Sequence, residues 1–466
     1  MNEEILQYFS KLLSLKSAVD SGNTSDQKLL NSRYKIIVPE AIKSFPNHNM
    51  CLSSILKYSP RALGRIKNMI KGRNAWIVPG MMHTDDVYIG ELLNVPIIGT
   101  EPEILDLHKS KSGIRKLFEQ ANVEISPGER GIKSVAQLHE SFTQLIIDNL
   151  NIKQWIFKTN FDIKSQGIGF IDIDIHLSCY NWAQKEQKRY GEKWKKKWAQ
   201  ENAYNRILRE VPDIIEMNLT LVDPKLYSTT SKFWKEFFSK DGIIEAYPGS
   251  ESVTNITVNM FIDPTGKIQM TGSGDQIHDG NPLNAWGYSV PQSSIDSEIL
   301  NEYSYKIAET CRQNDIKGYF SIDFVTFVEN NEENQLIWAV DIDFQYSDLA
   351  SLMNLTIFAT KAQFKPDDHL LIADMPTVST APEKQGTIFS LIDSFNRENI
   401  SMITIGTSLE QALESFAKNL YILHKEISSP NMAGHGNFQL VIKEIESILG
   451  LAIENTINNE SRVKEI

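Results

Sequence analysis

Two apolar runs broken by aspartate, GYFSIDFVTF (318–327) and WAVDIDFQYSD (338–348), constrain this chain more than any other feature. A buried carboxylate is costly unless something pairs with it. Asp341 and Asp343 are two apart, and the period of a strand sends both to one face. Asp323 lies in the preceding run, and the polar stretch NNEEN (330–334) between the runs reads as the turn of an antiparallel hairpin. That layout brings three carboxylates toward one point, where they repel unless a cation joins them. An oxygen-only set suits Mg²⁺, which usually takes one or two carboxylates together with phosphate oxygens. Aspartates at strand ends also cap turns or pair with arginine, so a structural role stays open at this point.

Size and charge narrow the field. At 466 residues the chain has room for two to four domains. Hydrophobic residues make up 41% and charged residues 23%, as in ordinary globular proteins. A formal charge of −12 and a pI near 5.4 argue against a nucleic-acid partner. The start, MNEEILQYFSKLLSLKS, lacks the basic region and cleavage site of a signal peptide, and no apolar run is long enough to span a membrane. Cys51, Cys179 and Cys311 lie far apart without metal-ligand spacing, which fits buried thiols in a reducing compartment. The expectation is a cytoplasmic protein with neither a nucleic-acid nor a membrane partner; homo-oligomerisation stays open.

Residues 1–33 read as an amphipathic helix and a polar linker. KIIVPE (35–40), AWIVPG (75–80) and VPIIG (95–99) read as buried parallel strands with helices between them, a small open α/β sheet. SKSGIRKLFEQANV and SVAQLHESFTQLIIDNL read as helices, QWIFKTN (154–160) as a strand, FDIKSQGIGF (161–170) as a loop, and FIDIDI (170–175) as a strand. Residues 180–222 read as helical; within them EKWKKKW reads as a solvated lysine face with its tryptophans packed inward. GIIEAYPG (242–249) reads as a strand, 252–277 as a hairpin around Asp-Pro-Thr-Gly, and IFSLIDSF…LYIL as helix, strand, helix. The expected divisions are 1–33, an α/β domain at 34–105, units at 106–250 and 251–365, and an α/β appendage at 366–466.

Upstream of the aspartates, Lys158 sits on a strand, followed by a loop with Gly167 and Gly169. Glycines let backbone N–H groups approach phosphate, and a nearby lysine neutralises its charge. Lys111, near a helix start, is a second candidate for phosphate. Glu245 ends an apolar strand, where it could accept from an adenine amine or a ribose hydroxyl. Taken singly, a solvent-facing lysine and a plain hairpin turn explain Lys158 and the glycines better, and a water-facing carboxylate explains Glu245 equally well.

The order of these features, carried by VPIIGTEPEILDLHKSKSGIRKLFEQANVEISPGE, IFKTN, DGIIEAYP, SVTNITVNMFIDPTGKI, GDQIHDG, GYFSIDFVTF and WAVDIDFQYSD, resembles the ATP-grasp superfamily over most of 75–365. It is similar to the peptide ligases of pheganomycin biosynthesis, and more closely to the ATP-grasp-like region of the IQ motif-containing protein H group. The resemblance implies an α/β and α+β fold with an N-terminal open α/β domain. It implies ATP and Mg²⁺ as cofactors, and small-molecule carboxylate and amine substrates (an amino acid or peptide) joined through an acyl phosphate. Lys111 and Lys158 would hold phosphates, Gly167 and Gly169 would close over them, and Glu245, Ala246 and Tyr247 would form the adenine hinge. Asp323, Asp341 and Asp343 would ligate Mg²⁺. Lys158 and Asp275 would be the catalytic candidates, Asp275 orienting the acceptor or else capping a turn. The family commonly carries Glu-x-Asn and then Arg on the last metal strand, where this chain has Asp341-Ile342-Asp343 and no Arg. That departure admits a second reading, a nucleotide-binding pseudoenzyme that serves as a regulatory or scaffold protein. No IQxxxRGxxxR pattern occurs, so the calmodulin-binding IQ motif is not carried over.

Overall fold

The computed structural model describes residues 35–45, 50–160, 167–222, 226–250, 252–278, 283, 285–328, 335–360, 362–373, 386–391, 400–427 and 438–450. The expected helix and linker at 1–33, the loop residues 161–166 and the hairpin turn 330–334 lie outside them.

The first part is helical: α1 (Leu52–Lys57), α2 (Pro60–Ile70), α3 (Thr84–Leu93) and α4 (Pro102–His108). The parallel sheet expected here is reduced, among the described residues, to one parallel bridge between Ile77 and Ile97. Residues 35–39 form no strand and lead into a 3₁₀ turn at Glu40–Ser44. Each of the three runs contains a proline (Pro39, Pro79 or Pro96), which removes a ladder donor where a short strand has none to spare. Nor are the runs buried as expected: Val38 and Trp76 are each 59% exposed.

Helix α5 (Lys111–Ala121) starts at the N-cap Ser110, whose hydroxyl accepts from Gly113 N, and stops at Asn122 in the left-handed region. Then follow β1 (Gly128–Ile132), α6 (Val135–Asp148), β2 (Gln154–Lys158) and β3 (Ile168–Asp172). β3 starts and ends earlier than the expected strand at 170–175, and its last residues turn into a short helix at Ile173–His176. Two polar helices, α7 (Tyr180–Tyr190) and α8 (Lys197–Asn218), precede β4 (Thr220–Leu221), α9 (Thr230–Ser239) and β5 (Gly242–Ala246). Of the two tryptophans in EKWKKKW, Trp194 packs inward and donates to Ile147 O, whereas Trp198 is exposed. The strands form an antiparallel sheet in the order β1-β5-β2-β3-β4. Phe142, Trp155, Phe157, Phe233 and Phe237, all fully buried, form its core with α6, α8 and α9. Each such ring stabilises the fold by about 1.5–3 kcal/mol.

The second sheet is built from β6 (Val253–Ile262), β7 (Ile268–His278), β8 (Ala285–Ser289), α10 (Ser297–Gln313), β9 (Gly318–Val328) and β10 (Gln335–Asp343), with strand order β10-β9-β6-β7-β8, all antiparallel. One face carries Ile256, Val258, Ile322 and Phe324 against α5 and α10. Gly318, with φ +91°, opens β9 where a side chain would meet the backbone of Gly99 at 2.9 Å. Thr100 Oγ1 donates to Lys317 O and accepts from Lys317 N, which ties the helical first part to the end of this sheet.

Beyond it lie α11 (Asp348–Thr360), the pair β11 (Ala362–Lys365) and β12 (Leu370–Ala373), the pair β13 (Gly386–Leu391) and β14 (Ile400–Ile405), and helices α12 (Leu409–Ile427) and α13 (Phe438–Leu449). IFSL, expected as helix, belongs to β13. Its β-branched and aromatic residues find a complete partner in ISMITI, and strand pairing overrides a run too short to show helical period. Ile277 and Trp286 pack against α12 and α13, so these helices cover the β7–β8 end of the second sheet. No helix among the described residues is long and apolar enough to cross a membrane.

Candidate functional site

The aspartate hairpin forms, and a bulge sets its polarity. Asp341 pairs with Asp323, Asp343 with Ser321, and Ala339 with Phe324, so the ladder skips Val340. Ile337 and Ala339 face the core; strict alternation would send Asp341 and Asp343 after them. The extra residue reverses the phase, so that Ile342 returns to the core and both aspartates face the other way with Asp323. Glu124 O accepts from Ala339 N at 2.9 Å and supports the chain at the bulge.

Asp323 accepts from Thr257 Oγ1 at 2.7 Å, and Gln276 Nε2 reaches both Thr257 Oγ1 (2.9 Å) and Asp323 (3.4 Å). Burial, and then the charges of Asp341 and Asp343, push its pKa up to about 7, against the lowering pull of Thr257 and Lys111. Asp341 Oδ2 takes Lys111 Nζ at 2.5 Å, and Asp343 accepts from Gln345 Nε2 at 2.5 Å. The trio shares a face, but among the described residues it does not form a group whose ligand oxygens all lie within 4.8 Å of one another. The donor set fits a cation that takes one or two carboxylates and completes its shell with phosphate and water, as Mg²⁺ does.

The lysines come from opposite sides. Lys111 is the first residue of α5, whose N-terminus is fastened to Asn160: Lys111 N donates to Asn160 O and Ser112 N to Asn160 Oδ1. Lys158 ends β2, two residues before Asn160. Its Nζ lies 2.7 Å from Glu245 Oε2, and Arg115 Nη1 lies 3.1 Å from Glu245 Oε1, all three buried. Arg115 also donates to Ser126 O at 2.6 Å. Burial alone would raise the Glu245 pKa, but Lys158 and then Arg115 outweigh it and hold the carboxyl below its ordinary value. Lys111, Arg115, Lys158, Glu245, Val340 and Asp341 line one small crevice between the two sheets.

The other expected site residues are placed differently. Gly169 lies in β3 rather than in the loop, paired with Phe157 on one side and Leu221 on the other; a side chain there would meet Leu219 at 2.8 Å, so packing accounts for this glycine. Gly167 stands at the loop's end, and its carbonyl accepts from Thr159 N. Ala246 N and Tyr247 N donate to Pro127 O and Gln154 O, which spends the backbone donors of the expected adenine hinge inside the sheet. Asp275 pairs with Ile256, a core-facing residue, and so points to the face away from Asp323. There it accepts from Ser293 N at 2.8 Å and Ser293 Oγ at 3.3 Å, the turn-capping alternative, and burial raises its pKa. Its neighbour Gln276, with Thr257, faces the aspartates instead. Strand parity relative to Asp323 could have found both, but only once the register was known. Arg115 gave no signal beyond being a cation on an otherwise apolar helix face.

A family model described as IQCH-like, ATP-grasp matches residues 102–367. The chain belongs to this ATP-grasp family. Over 504 aligned residues it is 34% identical to IQ motif-containing protein H from Danio rerio, with 100% of the chain and 47% of that relative covered. The chain thus spans about half the length of the curated relative it matches. Among solved structures, a biotin carboxylase–β,γ-ATP complex from Campylobacter jejuni aligns with TM-score 0.49 and 12% identity over 94% of this chain and 93% of that one. An ADP complex of N5-carboxyaminoimidazole synthetase from Staphylococcus aureus aligns with TM-score 0.37 and 11% identity over 66% and 61%. D-alanyl-alanine synthetase A from Vibrio cholerae aligns with TM-score 0.37 and 12% identity over 61% and 75%. The family assignment rests on the sequence match alone.

Proposed function

We propose that this chain binds Mg–ATP between its two five-stranded sheets and acts as a carboxylate–amine ligase on an amino acid or peptide. The observation that carries this reading is that Lys158 of the first sheet and Asp341 of the second line one crevice, with Lys111 paired to Asp341. When bound, Mg²⁺ would neutralise phosphate charge and orient the triphosphate. Asp341, with Asp323 and Asp343 beside it, would hold the ion; Thr257 and Gln276 fix Asp323 for that task. Lys111 and Lys158 would each exchange a carboxylate partner for phosphate oxygen, and Glu245 and Arg115 keep Lys158 aligned until then. Catalysis in such a site is positioning and charge neutralisation more than covalent chemistry by the protein.

One observation favours the second reading, a nucleotide-binding pseudoenzyme in a regulatory or scaffold role. Gln345 follows the metal strand where the family commonly has an arginine to clamp an anion, and its amide is spent on Asp343. Purified chain with Mg–ATP and mixed pools of carboxylic acids and amines separates the readings. Thermal stabilisation with phosphate release that Lys158→Ala abolishes supports the ligase. Stabilisation with no release over broad pools supports the pseudoenzyme, and no stabilisation removes both.

A further inference from the structure

A second cluster lies in the helical first part, away from the crevice. Cys51, His83 and Asp85 each place a ligand atom within 4.8 Å of the others. They come from two separate helix starts: Cys51 is the N-cap of α1, His83 is the N-cap of α3, and Asp85 stands in the first turn of α3. Ser54 stitches them together, its hydroxyl donating to Asp85 Oδ2 at 2.5 Å and lying 3.1 Å from the Cys51 sulfur. Asp85 divides its oxygens. Oδ1 takes Lys57 at 3.1 Å, and Oδ2 lies 3.8 Å from His83 Nδ1. A metal at Oδ2 would therefore leave the Lys57 contact in place. Cys51 and Asp85 are half-buried and His83 is exposed, which gives an ion a route in from solvent.

Thiol, imidazole and carboxylate together are a borderline-soft set. They suit Zn²⁺ and are a poor choice for Mg²⁺, which wants oxygen. Two helix N-termini and Lys57 oppose a cation, and a metal at His83 Nδ1 would displace the Asp85 N–H that this atom accepts at 3.1 Å, but these effects are weak beside direct bonds from a thiolate and a carboxylate. The fold gives such a bond something to do. Among its described residues this part of the chain has one parallel bridge in place of a sheet, and Val38 and Trp76 are exposed, so the core described there is thin. Thin cores are where a metal tie between short elements is most useful.

We propose that Cys51, His83 and Asp85 form a Zn²⁺ site, with a fourth position open to water, that ties α1 to α3. On binding, the Cys51 thiol gives its proton to solvent as the sulfur–zinc bond forms, with no change of oxidation state. The site is independent of the nucleotide reading.

The test titrates the chelator-treated, desalted full chain with Co²⁺ alone, in saturating Mg²⁺. The expected result is one equivalent bound with the intense visible bands of tetrahedral Co²⁺ and a sulfur-to-cobalt charge-transfer band. Zn²⁺ should then bleach both and raise the melting temperature. Cys51→Ser should lose the charge-transfer band while keeping α1 intact, since serine is itself a good N-cap. His83→Asn, which also keeps a capping residue, should weaken Co²⁺ binding by more than about 100-fold, the upper end for outer-shell changes. No tetrahedral spectrum in the wild type, or an unchanged one in Cys51→Ser or His83→Asn, overturns the proposal.

Discussion

Asp323 is the residue on which the site's charge balance turns. Its raised pKa means that the folded chain keeps a proton that the unfolded chain has already released. Without a cation, stability therefore falls as pH rises from the ordinary carboxylate value of 3.8 to about 7. A bound cation replaces that proton. The melting shift caused by Mg²⁺ is accordingly expected to be larger at pH 8 than at pH 6, and an equal shift would remove Asp323 from the metal site. Glu245 shows the opposite case, a carboxyl held below its usual pKa by Lys158 and Arg115. Glu245→Gln leaves two buried cations short of charge and is expected to cost about 3–5 kcal/mol in denaturant unfolding; a loss under 1 kcal/mol would mean that the triad is slack. Parity separates Asp275 from Gln276: Gln276→Ala should weaken Mg–ATP binding, whereas Asp275→Asn should lower the melting point without changing affinity. The aspartates themselves were legible in the sequence because D-x-D has a period-2 meaning. For Asp275 the sequence left the acceptor and turn-cap roles both open, because residue type alone does not say which face of a strand it occupies.

At the scale of elements, the bulge at Val340 is what makes β10 a site strand. Apolar residues at 337 and 339, then at 342 and 344, step by three where strict alternation would step by two, and that step was visible in the sequence. Deleting Val340 would close the bulge yet leave Ile342 facing the core and Asp341 and Asp343 facing Asp323, so Mg–ATP stabilisation is expected to survive in the folded variant. Val340→Ala, which keeps the residue count, should retain it as well, and loss of that stabilisation in either folded variant would contradict the parity account. Gly169 makes the complementary point in β3. Gly169→Val should destabilise by about 1–3 kcal/mol through its clash with Leu219, while affinity for Mg–ATP in the variant's folded fraction stays unchanged. Most helices and strands of the two large sheets could be read from periodicity. The N-terminal strands could not, because the apolar runs were there but their prolines denied them a ladder. Nor could β13, whose partner β14 lies across residues with no local signal.

For the whole molecule, the central claim is that two separate sheets, each with its own aromatic or aliphatic core, bring cations and carboxylates to one crevice. Sequence order implied the meeting through a family resemblance. It did not show that the lysines would already be neutralised, Lys111 by Asp341 and Lys158 by Glu245. Such pairing depends on three-dimensional distances that no local pattern encodes. The most direct test is calorimetric titration of Mg–ATP into the wild-type chain, Lys158→Ala and Asp341→Asn, one variant from each sheet. Saturable binding by the wild type, weakened at least about tenfold (1.4 kcal/mol) in both variants, is the predicted result. Wild-type affinity in either variant, or no heat of binding in the wild type, would contradict a nucleotide site shared between the sheets.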